Sequence, residues 1–330
     1  MMKRILYIAL IAAAFISSAC DKLSPEENSH GNKSYIFFDA GVIDIEETKA
    51  VVDGDKLPND KGTAFAVVGK CGSKTLFGGY SNKAAKVYRN SEGVFVYNQL
   101  EEWVDENTKH TFYAFYPWQL NANKADDNVW YTGNKTYISY KQPANVGDMI
   151  DVMIDSQDIS KCQEVIINFK HSLWALDINV KNSQESEKLE VRDVKFYISG
   201  IKESGKINFD GSEDNESVKT ENVHTYIYTY VNSTSGNGIV LQEDKKTLEC
   251  EPLLFLPVEN IEYKIEITFK NSRGFEYTYT YPAQGFQTKN QKFAAGHRYS
   301  LTIEKIDPEN FNVSWLKNGW IQEDLTHTFE

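Results

Sequence analysis

The sequence is poor in the residue patterns that most chemistry requires. It holds four cysteines in 330 residues, none in C-x-x-C spacing, which argues against a cysteine metal cage or a dithiol redox motif. Its histidines, His30, His110, His171, His224, His297 and His327, are scattered singly, and there is no H-E-x-x-H. His171, between Phe169 and Leu173, reads as a structural histidine at a strand end. No serine sits in a G-x-S-x-G elbow. The stretch Gly69–Thr75 (GKCGSKT) looks superficially like a phosphate loop, but Ser73 interrupts the required order and Gly78-Gly79 follows, so it reads as a turn. Asp53-x-Asp55 and Asp210–Glu216 lack the glycine and bidentate glutamate of a calcium loop and read as solvated acidic loops. Among 47 acidic residues no carboxylate pair can be singled out for glycoside hydrolysis. The expectation is a protein with no catalytic residue, no metal site and no cofactor, and not an enzyme.

Basic clusters are missing too. Net charge is −12 with the acids dispersed, which favours solubility and argues against nucleic-acid binding. No apolar run is long enough to cross a bilayer as a helix. The longest, Ile5–Ile16, follows Lys3 and Arg4 and precedes Ser17-Ser18-Ala19-Cys20. A positive end, a dozen apolar residues and small residues make a signal-peptide pattern. The small residues stop at a cysteine, which resembles a bacterial lipobox. That resemblance implies removal of residues 1–19 and lipidation of Cys20. Residues 20–33, polar with Pro, Gly and Ser, then read as a flexible tether. Cys71, Cys162 and Cys250 remain; they are either buried thiols or contain one disulfide.

What the sequence has in abundance is alternation. Tyr263–Phe269, Phe275–Tyr281, Tyr299–Ile303 and Trp174–Val180 each interleave apolar with polar residues. A period of two puts one face in a core and one in water. Further strands are expected at Tyr35–Phe38, Thr63–Val68, Val94–Tyr97, Thr111–Tyr116, Tyr137–Tyr140, Val165–Phe169, Val191–Ile198, Thr225–Tyr230 and Pro252–Leu256, separated by turn clusters. No amphipathic helix exceeds two turns, and no internal repeat is evident. The expected class is all-β, built of antiparallel sandwiches. A polar stretch at 155–163 marks an expected boundary, giving units at 34–158 and 159–330. Aromatics form 13% of the chain and are densest at Phe112–Trp118, where they serve either a core or a surface that stacks on sugars.

Four segments together carry a family resemblance. They are the lipobox at Cys20; Phe112–Pro117 (FYAFYP); Asp148–Ile154 followed by Val165–Leu173 (DMIDVMI, VIINFKHSL); and Gly296–Ile303 (GHRYSLTI). In order and spacing they resemble the fimbrillins of Bacteroidales-type bacteria, subunits and accessories of type V pili. The resemblance implies two tandem transthyretin-like β-sandwiches, with the second beginning in the Asp148–Leu173 passage, and a short C-terminal extension. It implies a structural or adhesive fimbrial subunit, lipid-anchored and surface-exposed on the outer membrane. Its partners would be other fimbrial subunits, as a homo- or heteropolymer, and a host protein or glycan receptor. It also implies assembly by strand exchange, in which a protease removes the first strand and a neighbour's strand fills the groove. The candidate removable strand is Tyr35, Ile36, Phe37 and Phe38. No arginine lies between Arg4 and Arg89, so either the protease differs, with Lys56 and Lys61 the candidate processing sites, or the chain keeps its first strand, as would suit an anchor or a free-standing surface lipoprotein. Phe311–Trp320 either form a donated strand or finish the second sandwich. A glycan-binding surface lipoprotein that does not polymerise is the alternative.

Overall fold

The computed structural model describes residues 34–42, 57, 63–105, 108–122, 124, 127–133, 135–160, 163–183, 188–212, 218–219, 225–232, 238–242, 247–287, 291–305, 311–319 and 325–327. Apart from three single-turn 3-10 segments, the regular elements among these residues are strands. The first ten are β1 (Phe38–Val42), β2 (Ala64–Cys71), β3 (Lys74–Thr75), β4 (Ala85–Arg89), β5 (Phe95–Val96), β6 (His110–Tyr116), β7 (Val129–Trp130), β8 (Tyr137–Lys141), β9 (Met153–Ile159) and β10 (Val165–His171). Then come β11 (Trp174–Asn182), β12 (Leu189–Ser199), β13 (Lys202–Asn208), β14 (Val218–Lys219), β15 (Tyr226–Asn232), β16 (Ile239–Leu241), β17 (Thr247–Glu249) and β18 (Leu253–Phe255). The last are β19 (Val258–Glu259), β20 (Glu262–Asn271), β21 (Glu276–Gln287), β22 (Lys292–Phe293), β23 (His297–Lys305), β24 (Phe311–Gly319) and β25 (Leu325–His327).

The all-β expectation holds, and the strictly alternating segments are all strands. β20 shows why: Tyr263, Ile265, Ile267 and Phe269 are buried and their neighbours Lys264, Glu266 and Thr268 are not. The GKCGSKT stretch is the β2–β3 hairpin. Cys71 pairs with Lys74 across Gly72-Ser73, and Gly72 takes φ +55° as the first central residue, a position open to glycine at little steric cost.

The N-terminal sheet runs β1-β10-β9-β6-β2-β4-β5, with β3 on β2. One face closes over a core containing Phe65, Val67, Phe77, Phe112, Met153, Ile167 and Phe169. The later strands form two sheets, β17-β11-β23-β24-β25 with β18 on β11, and β15-β12-β20-β21 with β16 on β12. Between them lies a second core around Trp174, Phe196, Phe255, Ile267 and Leu301. A third core joins the two: Phe115, Tyr131, Ile138 and Ile154 from the first half meet Leu173, Ile207, Phe209 and Leu254 from the second. The four-stranded sheet β14-β13-β8-β7 crosses the same divide, since β13 pairs with β8.

Strand pairing is continuous on both sides of the expected 158/159 boundary. β9 covers most of the polar stretch read as a boundary, and it pairs along its whole length with β6. β10, expected to open the second unit, pairs with β9 and β1 and contributes Val165, Ile167 and Phe169 to the first core. The polar residues of β9 are satisfied in place. Asp155 accepts from the Asn168 backbone N–H and from Gln157 Nε2, each at 2.7 Å, and Asp158 accepts from Thr111 Oγ1 at 2.7 Å and Lys109 Nζ at 2.9 Å. Cross-strand partners make a polar strand tenable inside a sheet. The two parts of the Asp148–Leu173 passage meet in space. His171 and Asp151 are both buried and joined through Nδ1 at 3.0 Å, and Ser172 N donates to Val152 O at 2.9 Å.

Among the Phe112–Tyr116 aromatics, Phe112 and Phe115 are core, and Tyr113 and Tyr116 are half-buried against it. β6 is sandwiched, so Phe112 and Ala114 face the first core while Phe115 faces the third.

Candidate functional site: the first strand and its cleft

Residues Ser34–Val42 bridge the two edges of the N-terminal sheet. Phe38–Val42 pair in parallel with Val165–Phe169 of β10 at one edge. Just upstream, Tyr35 forms an antiparallel bridge with Glu102, in the stretch that follows β5 at the other edge. Ile36 N donates to Glu101 O and Trp103 N to Ser34 O, both at 3.0 Å, and Val165 N donates to Phe37 O at 2.9 Å. The segment thus covers backbone groups on both sides that would otherwise be open edges.

Its side chains alternate as a half-buried strand should. Ile36 (0% exposed), Phe38 (4%) and Ala40 (8%) point into the first core, and Phe37 (43%) points out. Phe38 sits in a cage of rings, with centroids 5.6 Å from Tyr97, 5.8 Å from Phe112 and 6.0 Å from Phe77, the first two edge-to-face. Such geometry places ring edges against ring faces and adds to the burial itself. Leu57, fully buried, joins the same core.

Two side chains grip the strand by its backbone. The Tyr97 hydroxyl donates to Ile36 O at 2.7 Å and itself accepts from Glu101 N at 3.2 Å. Trp103 Nε1 donates to Tyr35 O at 3.1 Å. Burial pushes the Tyr97 hydroxyl up to about 12, so it stays a protonated donor at neutral pH. Glu101 completes the support by accepting from Phe77 N through Oε2 at 3.0 Å. At the β10 end the rim is acidic. Burial, and then the charge of Asp39, raise the Glu164 carboxyl.

Of the residues expected to form a removable strand, Tyr35, Ile36, Phe37 and Phe38 are all here, and the strand continues to Val42. Cys20, Lys56 and Lys61 lie outside the described residues, as do Cys162 and Trp320. Cys71 and Cys250 are free thiols. Phe311–Gly319, left open between a donated strand and the end of the sandwich, is β24. It pairs with β23 along its whole length, Phe311 stacks on Tyr279 at 4.1 Å, and Trp315 packs on Tyr263 at 5.1 Å. Tyr97, Trp103 and Glu101 were not foreseen. Nothing in their spacing marks them, because their role is set by a partner more than sixty residues away.

The histidine that ends the β5–β6 connection has a structural role. His110 accepts from Val104 N at Nε2 (3.3 Å) and donates from Nδ1 to Thr108 O (2.8 Å). Among the described residues no group of His, Cys, Asp and Glu could hold a metal ion, and no helix is long and apolar enough to cross a membrane. What the first-strand site can do is bind an extended polypeptide by backbone pairing and an apolar cleft.

A family model described as fimbrillin-like matches residues 48–320. No curated protein matches the chain. Among solved structures, a fimbrial protein from Bacteroides vulgatus is similar at 16% identity and a TM-score of 0.50, covering 79% of this chain and 93% of that one. The tip fimbrial protein Mfa3 from Porphyromonas gingivalis, truncated at its C-terminus, is similar at 10% identity and a TM-score of 0.43, covering 87% and 100%.

Proposed function

The chain belongs to the fimbrillin-like family, and on that premise we propose that it is a structural or adhesive subunit of a cell-surface fimbria that assembles by exchanging its first strand. The observation that carries this reading is the Ser34–Val42 segment. It is held by backbone pairing at both of its flanks and by a cage of rings, and it is joined to β2 only through residues 43–63. Cutting that connection at Lys56 or Lys61 would turn the segment into a separable peptide. Its departure would leave β10 and the 101–103 stretch with unpaired backbone groups and an open apolar cleft, the two requirements for accepting a strand from another chain.

Lipidation of Cys20 would hold the precursor at the outer membrane, facing the surface, until processing releases it. The two halves would be transthyretin-like units meeting near Ser172. The chain acts through non-covalent assembly and carries out no covalent chemistry. A glycan-stacking role is less favoured, because Phe112 and Phe115 of the densest aromatic group lie inside the cores and Tyr113, Tyr116 and Trp118 pack against them.

Mass spectrometry of the N-terminus of protein recovered from its own cell surface tests the proposal. A mature chain starting near residue 57 or 62 supports strand removal. A chain that still starts at a lipidated Cys20 in assembled fimbriae refutes it.

A further inference from the structure

We infer that the free edge of β21 is a contact surface for a second copy of this chain, and that two copies pair there antiparallel about a twofold axis at Thr278, joining their β15-β12-β20-β21 sheets into one. The contact is separate from the first-strand site and needs no cut in the chain.

β21 is 12 residues long and ends its sheet, with β20 as its one partner among the described residues. An edge of that length is a template for another strand unless something blunts it. The opposite edge of the same sheet is blunted, since the pairing of β12 with β15 shifts register between Val194 and Lys195. Ser34–Val42 bridges the edges of the N-terminal sheet, and the edge strands β17 and β25 have 3 residues each. Glu276–Tyr281 has none of these devices. It holds one charge and no lysine, and Pro282 and the register shift opposite Tyr263 and Ile265 come only at its far end.

The β20–β21 hairpin fixes which backbone groups are free. Asn271 N donates to Phe275 O at 3.0 Å, so these two residues turn their polar groups toward each other. Alternate pairs of an antiparallel ladder do likewise: Phe269 with Tyr277, Ile267 with Tyr279 and Ile265 with Tyr281. The pairs between them bring their side chains closer, as Thr268 Oγ1 and Thr278 Oγ1 show at 3.0 Å. Glu276, Thr278 and Thr280 therefore aim their N–H and C=O groups away from β20, along the open edge. The strand is also held in place. Tyr279 stacks on Phe311 at 4.1 Å, Tyr277 lies 5.6 Å from Phe269, and Lys305 Nζ donates to Tyr277 OH at 2.7 Å. An edge already ordered loses little freedom on pairing.

One register of β21 against itself uses all of these outward residues. Thr278 faces Thr278 of the second copy, and Glu276 faces Thr280 in both directions. A slip of two residues toward the hairpin sets Thr280 against Gly274 in the turn, and a further slip sets Glu276 against Glu276. A slip the other way sets Glu276 against Pro282, which has no N–H to give. In the central register the aromatic face is matched as well. Phe275, 69% exposed, lies across from Tyr281 of the second copy, and Tyr277 lies across from Tyr279. The two Glu276 side chains stand four residues apart along the ladder, about 14 Å. Each lies 4.0 Å from the Arg192 guanidinium of its own chain, which softens their repulsion. A twofold contact closes on itself, so it joins chains, or the fimbriae that carry them, side by side and does not extend a filament.

The test is sedimentation velocity of the full, uncut chain at concentrations up to about 0.1 mM, a range that reaches weak contacts of small area. A reversible monomer–dimer equilibrium is expected. Thr278→Pro removes the N–H on the axis, from an edge position where proline is tolerated, and should weaken the dimer at least tenfold. Thr280→Lys sets a cation across from Glu276 of the second copy, twice by symmetry, and should tighten it about threefold at low salt. Cysteine coupling reads the register. Thr278→Cys should form a disulfide with its own copy under air oxidation, because residues paired on the axis have Cα atoms about 5.5 Å apart. Thr280→Cys should not couple with its own copy, which lies four residues away along the ladder. A chain that stays monomeric overturns the contact. A dimer unmoved by both Thr278→Pro and Thr280→Lys overturns its placement on β21. Coupling of Thr280→Cys as readily as Thr278→Cys overturns the register. Where Thr278→Pro unfolds the chain, read by circular dichroism, Thr280→Lys and the two cysteine variants decide.

Discussion

Phe37 and Phe38 are identical residues one bond apart, and the pleat gives them opposite surroundings. Phe38 fills a ring cage in the first core, whereas Phe37 lies on the outer face. Replacing a buried phenylalanine by alanine removes its transfer energy and leaves a cavity, a loss of about 3–5 kcal/mol. Phe38→Ala is therefore expected to lower unfolding stability by that order in urea titration, and Phe37→Ala by about 0.5 kcal/mol or less, as for surface changes. Similar losses for both would mean that the strand does not sit in this register. Cysteine reactivity follows the same logic of burial. Burial pushes the Cys250 thiol up to about 12 and raises the Cys71 thiol as well. Only the thiolate attacks a disulfide reagent. At pH 8 the folded chain should leave both unlabelled by a thiol-reactive disulfide, and unfolding in guanidinium should expose both, read by peptide mapping. Rapid labelling of Cys250 in the folded chain would contradict its packed surroundings.

Among the elements, the parallel pair β11–β23 holds a buried ion pair. Arg298 donates to Asp177 through Nε and Nη2, the latter at 2.8 Å, and Ser300 Oγ lies 3.4 Å from the same carboxylate. Removing one partner strands a buried charge, at about 3–5 kcal/mol, whereas replacing both by apolar residues of similar size can be neutral. Arg298→Met should lose stability of that order, and Asp177→Leu with Arg298→Met should recover most of it. A double variant as damaged as the single one would show that the pair also fixes the strand register. Five carboxyls, Asp158, Glu190, Asp210, Glu266 and Glu304, sit below the ordinary range, each chiefly through a side-chain hydrogen bond, to Thr111, Arg192, Ser212, Lys264 and Ser183 respectively. Because folding lowers their values, their contribution is present above the unfolded carboxylate values of about 4 and is lost as pH falls through the folded ones. Urea midpoints should hold steady from pH 7 to 5 and drop below about pH 4; a midpoint that rises on acidification would reverse the sign. The strands legible in the sequence were those with one wet and one dry face, such as β20 and β23. β9 was not legible, because Asp155 and Asp158 are satisfied by side-chain bonds that no local pattern announces. The first strand was visible as an apolar run at Tyr35–Phe38. Its cleft was not, since its walls come from β10 and the Tyr97–Trp103 stretch, and strand pairing across such separations is a property of the fold rather than of any window of sequence.

For the molecule as a whole, the third core decides whether the two halves behave as separate bodies. A chain of this size usually unfolds in more than one step when its units meet through a small polar interface. Here the halves share Phe115, Tyr131, Phe209 and Leu254 in one apolar cluster, and β13 of the second half is hydrogen-bonded to β8 of the first. A buried polar knot reinforces the joint. Tyr140 OH shares its proton between Gln142 Oε1 at 3.1 Å and Leu254 O at 3.2 Å, Gln142 Nε2 donates to Tyr228 OH at 3.0 Å and to Leu254 O at 3.1 Å, and Tyr228 OH donates to Pro143 O at 2.9 Å. Each group in the knot has a partner, and a fully satisfied buried network specifies one arrangement of the parts it joins. Calorimetry should therefore record a single transition with the calorimetric and van 't Hoff enthalpies in agreement. Gln142→Ala would leave the neighbouring hydroxyl and carbonyl short of a partner in a dry site, at about 1–3 kcal/mol, and should split that transition or broaden it. Two well-separated transitions in the unaltered chain would mean that the halves turn independently about Ser172. A subunit built that way could not transmit load along a fimbria through a fixed joint, whereas one locked by a shared core and a satisfied polar knot can.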